Sequence, residues 1–286
     1  MKADVELLIS YFALSGDVYP LGPNEVSPIP FKDRVEAAAR TGFVGFGLHP
    51  DDVQATKEKI GYPEMRRILE ANGIKYLEIE FLINWFEKGE KRRKSDQLRA
   101  QMLEVAGELG MRDIKAGPGF DGGEADVALM GDEFGKLCDD AAVHGTDVAL
   151  EIMPWSNVRT IETGLAIVSE ANRANGGLLI DIWHMARGKI PYSDIRKIPL
   201  RFIKAVELDD APIKPPVDDV WEDTIHHREL PGEGELDVPA FIREVRATGY
   251  NGVYGTEVLS AKHRKFGLDE MARRVFDTSM AQFAKA

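Results

Sequence analysis

Eight short apolar runs, each followed by a stretch with helical spacing, recur from one end of this 286-residue chain to the other. The runs cover residues 5–13, 43–48, 74–82, 111–116, 146–153, 178–183, 202–208 and 253–258. Helical periodicity follows at 31–41, 63–72, 95–109, 124–144, 160–174, 190–198, 238–248 and 268–286. Gly42, Asn72-Gly73, Gly110, Gly145, Asn175-Gly176 and Gly249 stop helices, and Ser95 reads as an N-cap. Alternating strand and helix implies a parallel sheet, and strands this apolar are buried on both faces. Eight units are the number that closes a (β/α)8 barrel. The competing open, doubly wound sheet would want a G-x-G-x-x-G turn after an early strand. Gly117–Gly123 is glycine-rich but lacks that order. With no linker or composition break, residues 1–286 read as a single domain. The longest loops, 16–30, 84–94 and 211–235, all leave strand C-termini, where a barrel keeps its chemistry.

Composition narrows the partners. Hydrophobic residues make up 44% and charged residues 29%, with a net charge of -12. An acidic surface opposes phosphate binding, so nucleic acid is not expected as a partner. A lone cysteine, Cys138, excludes an internal disulfide and fits a reducing cytoplasm. The N-terminal apolar run carries Asp4 and Glu6, unlike a signal peptide. No stretch reaches the roughly 18 uncharged apolar residues of a membrane span.

Carboxylates recur at strand ends. Glu151 follows Val148-Ala149-Leu150, Asp181 follows Leu178-Leu179-Ile180, Glu207 follows Lys204-Ala205-Val206, and Glu257 closes the last strand. One acid at a strand end is usually just solvated. Four on four consecutive strands of a barrel are brought to one mouth, where they repel unless a cation joins them. All-oxygen ligation suits Mg2+ or Mn2+. Glu207 and Asp209 share a strand face, so either can reach such an ion.

Other polar groups cluster at the same ends. His184 lies three residues after Asp181, with Arg187 beyond it, and Arg228 follows His226 and His227 in the long loop after strand seven. An imidazole there can bind a hydroxyl or relay a proton, and a guanidinium can grip an oxygen. His49 and Lys115 end strands two and four, and Glu80 lies on the face of strand three that also carries Glu78. All three are candidate pocket liners. Trp155 and other aromatics at these ends can stack on a sugar face, although large aromatics more often pack cores.

At these residues the chain resembles the xylose-isomerase-like TIM-barrel superfamily of sugar phosphate isomerases and epimerases. The likeness is carried by ALEIMPW (149–155), LLIDIWHMARG (178–188), AVELDDAP (205–212) and LPGEGELDVPAFIREVRATGYNGVYGTEV (230–258). The resemblance implies one divalent metal held by Glu151, Asp181, Glu207 and Glu257. It implies substrate contacts from His184 and Arg228. Many relatives have His where Glu207 stands, and the extra negative charge favours Mg2+ or Mn2+, or moves ligation to Asp209. The implied reaction is isomerisation or epimerisation of a keto sugar or polyol, with Glu151 and Glu257 as base and acid and His184 orienting oxygens. A lyase resembling the inosose and dehydroshikimate dehydratases, or one acting by β-elimination on a keto-glycoside, is the alternative. DNA phosphodiester cleavage, known from the endonuclease-IV relatives, is disfavoured by six histidines and the acidic charge. A homo-oligomer is compatible with the resemblance.

Overall fold

A computed structural model of the chain describes residues 5–286. Residues 1–4, including Asp4 of the N-terminal reading, lie outside the described residues. The strands are β1 (Leu7–Ile9), β2 (Gly45–Leu48), β3 (Tyr76–Leu82), β4 (Asp113–Ala116), β5 (Asp147–Glu151), β6 (Gly176–Asp181), β7 (Ile203–Leu208) and β8 (Tyr254–Thr256). They form a closed parallel barrel in sequence order, with helices between them. Closure is visible at Ile9, which is level with Phe46 of β2 and Thr256 of β8. Two compact units make up the chain. One runs to Leu77 and includes Glu207–Arg243 and Asn251–Ala286; the other comprises Glu78–Val206 and Glu244–Tyr250. No helix among the described residues is long and apolar enough to cross a membrane.

Seven of the eight strands are shorter than the apolar runs that announce them, and the sixth is as long but ends two residues earlier. Run 5–13 does not stay extended: Tyr11–Leu14 turns into a short buried helix directly after β1. Run 178–183 stops at Asp181, whose carboxylate caps a helix at Ile182–Arg187. The helix expected at 63–72 is the second half of Pro50–Ala71, broken at Gly61 (φ 72°, ψ 159°). Only glycine adopts that conformation cheaply, so the periodicity restarts after it. Ser95 is not a cap. Its helix spans Gly89–Leu109, and Ser95 is buried inside it. The loop 211–235 contains a further helix, Val220–His226, capped by Asp219 accepting from the Trp221 and Glu222 amides.

Packing fixes which face of each strand looks inward. Phe46 meets Phe31 of the helix outside β2, with ring centroids 5.9 Å apart, and Tyr254 meets Phe283 of the last helix at 4.9 Å. Strand alternation therefore turns Gly45 and Gly47, and likewise Gly255 and Glu257, into the barrel. Gly47 is required there: a Cβ would lie 2.5 Å from the Tyr11 nitrogen and 2.8 Å from the Ser10 Cα. Ala149, Leu179 and Ala205 form one buried cluster. Two residues further along their strands stand Glu151, Asp181 and Glu207.

Charge is buried in the β3–β4 region as well. Lys115 Nζ lies 3.0 Å from Glu78 Oε1 and 3.0 Å from Glu80 Oε2, all three side chains being buried. Arg112 pairs with Asp113. Burial still pushes the Asp113 carboxyl up to about 6, with Glu78 adding to the rise and Arg112 and Lys115 opposing it. Cys138 is buried and free, its thiol pushed up to about 12 by desolvation.

Candidate metal centre

Glu151 and Asp181 are the last residues of β5 and β6, 4% and 2% exposed. Asp181 is held by the chain immediately after it. Its Oδ1 accepts from the Trp183 amide at 2.6 Å and the His184 amide at 3.4 Å. That N-cap satisfies amides a helix start leaves open and fixes the carboxylate's orientation. The same turn brings His184 back over the strand ends. His184 Nε2 lies 3.0 Å from Glu151 Oε1 and 3.6 Å from Asp181 Oδ2. Trp155 and Trp183 flank its ring, each with a centroid 5.2 Å away.

Glu207 and Glu257, from β7 and just beyond β8, are 1% and 8% exposed. Ser10 Oγ donates to Glu207 Oε1 at 3.3 Å. Arg228 Nη1 donates to Asp209 Oδ2 at 2.6 Å and lies 3.1 Å from Glu257 Oε2. The two strand-seven acids therefore divide: Asp209 meets Arg228, and Glu207 faces the other carboxylates.

One oxygen from each of Glu151, Asp181, Glu207 and Glu257 falls within 4.8 Å of the others. That span is about twice a divalent metal–oxygen distance of roughly 2.0–2.6 Å, so the four fit a common hard cation. Electrostatics points the same way. Buried carboxylates this close repel strongly, and the single charge of Arg228 is already divided between Asp209 and Glu257.

Of the other predicted residues, Lys115 and Glu80 form the buried ion pair described above. The Trp155 ring lies tilted against His184, at an interplanar angle of 50°, and the Arg187 guanidinium lies 5.0 Å from the centroid of the Trp183 ring. His49 lies against Tyr11 and Phe12, with Nε2 3.5 Å from Glu25 Oε2. Burial lowers its imidazole pKa, opposed by Glu25, Asp51 and Asp52. Glu25, His49 and Asp51 form a second, more exposed group of metal-capable side chains. Sequence reasoning missed Ser10 and Glu25. Ser10 had a usable signal, being two residues beyond Leu8 on one strand face; Glu25 lies in a loop and had none.

Residues 35–277 match the family model of the xylose isomerase-like TIM barrel. The chain belongs to that family. It is 34% identical over 134 residues to a 3-dehydroshikimate dehydratase of Pseudomonas aeruginosa, covering 46% of this chain and 21% of that protein. It is 29% identical over 159 residues to an inosose isomerase of Bacillus velezensis, covering 52% of this chain and 53% of the relative. The chain thus spans about a fifth of the dehydratase and about half of the isomerase it matches. Among solved structures of the xylose isomerase-like barrel, the IOLI protein with a bound zinc atom superposes with a TM-score of 0.84 at 20% identity, covering 98% of each chain.

Proposed function

We propose that this chain holds one divalent cation, Mn2+ or Mg2+, through Glu151, Asp181, Glu207 and Glu257. With it, the chain isomerises or epimerises a keto sugar or cyclic keto polyol by moving a proton at the carbon next to the carbonyl. The single observation behind the reading is the convergence of four buried carboxylate oxygens within 4.8 Å. When bound, the cation would supply a Lewis acid for the carbonyl oxygen and for charge developing on it. Glu151 is the base. His184, 3.0 Å away, takes up or returns that proton and offers a donor to a substrate hydroxyl. Glu257, whose Oε2 lies 3.1 Å from Arg228 Nη1, is the acid on the second carbon or oxygen. Trp155 closes the site with an apolar face that suits a sugar ring. Arg187 is a candidate further substrate contact, as are Lys115, Glu80 and His49 if the ligand reaches them.

A second reading has an observation of its own. The 34% likeness to a dehydratase favours elimination, in which the same proton abstraction is followed by loss of a β-hydroxyl as water. One experiment separates the two. Mn2+-loaded protein is incubated in D2O with ketoses, inososes, 3-keto-glycosides and 3-dehydroshikimate, and products are read by NMR and mass spectrometry. Solvent deuterium at carbon without loss of water supports isomerisation; loss of water supports the lyase. Neither event with any of these compounds would overturn both readings.

A further inference from the structure

Asp209 and Asp210 are neighbours in VELDDAP and look interchangeable in sequence. Their contacts are unlike. Asp210 Oδ1 accepts from the Ala211 and Leu236 amides at 2.8 and 2.9 Å, and its Oδ2 accepts from the Gly232 amide at 2.8 Å, tying down the turn before helix Val238–Ala247. Asp209 is 1% exposed and points to the same interior face as Glu207, where it meets Arg228.

Arg228 is built into the wall. A guanidinium has five N–H donors. Its Nε donates to the Thr224 carbonyl at 3.3 Å and Nη2 to Thr224 Oγ1 at 2.9 Å, while Nη1 serves Asp209 Oδ2 and Glu257 Oε2. Four of those donors are thus aimed at the chain's own oxygens. The contact to Asp209, at 2.6 Å, is shorter than the one to Glu257, at 3.1 Å. A buried guanidinium beside a single carboxylate closes on it as a two-pronged pair. Here a second carboxylate, Glu257, competes for the same nitrogen.

We propose that Asp209 is a positioning residue that holds Arg228 back from Glu257, leaving the Glu257 carboxylate available to the cation. The inference rests on the reading that Glu257 is a cation ligand. Without the Asp209 charge, Arg228 pairs fully with Glu257 and competes with the metal for it. Loss of a supporting partner of this kind typically weakens metal binding about 10- to 100-fold.

The test is a double-mutant cycle on the whole chain, with Mn2+ affinity read by calorimetry after dialysis against chelator. It needs no substrate. Asp209→Asn keeps the side chain's shape and a hydrogen-bond acceptor but removes the charge, and should weaken Mn2+ binding about tenfold. Adding Arg228→Gln should restore most of that loss, because the competitor for Glu257 is gone. A merely structural role for Asp209 would make the double variant as weak as Asp209→Asn or weaker, and that result would overturn the proposal. So would unchanged Mn2+ affinity in Asp209→Asn. Melting temperatures report folding, and Asp209→Glu paired with Arg228→Lys replaces either variant that fails to fold. In that pair Asp209→Glu should retain near-wild-type affinity and Arg228→Lys should not weaken binding; a tenfold loss in Asp209→Glu would count against the proposal. Absence of Mn2+ binding by the wild type sinks the metal reading itself, whereas wild-type binding with an additive cycle sinks only the role of Asp209.

Discussion

Two groups of buried acids stand inside this barrel, and their surroundings differ. Around β3 and β4, Glu78, Glu80 and Asp113 have Lys115 and Arg112 as built-in counterions. At the ends of β5–β8, Glu151, Asp181, Glu207 and Glu257 converge while Arg228 is shared with yet another acid, Asp209. Burial of a carboxylate is common to both, so burial alone does not mark out the proposed metal site. The balance of charge does. Three acids with two cations are nearly balanced as folded, whereas five acids around the one guanidinium of Arg228 call for a cation from outside.

The largest expected effect separates the two regions by activity. Glu151→Gln or Glu257→Gln should lower turnover by about 10²- to 10⁴-fold, the usual contribution of a general acid or base. Steady-state rates on the substrate identified in D2O check this, and near-wild-type turnover would dissolve the distinction. Next comes stability. Lys115→Met strands Glu78 and Glu80 without their cation, and should cost about 3–5 kcal/mol in urea unfolding while leaving Mn2+ affinity unchanged. A drop in Mn2+ affinity as large as the drop in stability would show that the two regions are not separate.

Smaller, and confined to the acid-rich end, is ligand stabilisation. Mn2+ at about 100 times its dissociation constant should add ~2.7 kcal/mol to unfolding stability, reversed by chelator and absent in Asp181→Asn. The smallest effect is the pH dependence of Asp113. Its carboxyl titrates near 6 when folded, above the ordinary 3.8 of the unfolded chain. Between those values the folded protein binds a proton that the unfolded chain has released. Its contribution to stability is therefore full below about pH 4 and is lost as pH rises through about 6. Asp113→Asn should remove that decline, seen as a urea midpoint that falls less than wild type between pH 4 and pH 7. A variant that declines more steeply than wild type would contradict the sign.

The barrel was legible because strands buried on both faces leave uninterrupted apolar runs, and glycine or asparagine closes most helices between them. Where two elements share one apolar run the boundary vanished, as at Tyr11–Leu14, and where glycine breaks a helix its first half went unseen, as at Pro50–Ile60. The four carboxylates could be read because each interrupts an apolar strand at its end. Partners were harder. Nothing local to Asp209 or Arg228 announces a 2.6 Å contact across 19 positions, and Glu78 gives no sign of meeting Lys115 rather than solvent. Such pairings depend on which neighbouring strand a face looks onto, a property of closure rather than of any one segment.

The most direct measurement is the anomalous X-ray signal from crystals grown with Mn2+. One peak is expected, within about 2.0–2.6 Å of oxygens from Glu151, Asp181, Glu207 and Glu257. A peak at Glu25, His49 and Asp51 instead, or none, would contradict the proposed site.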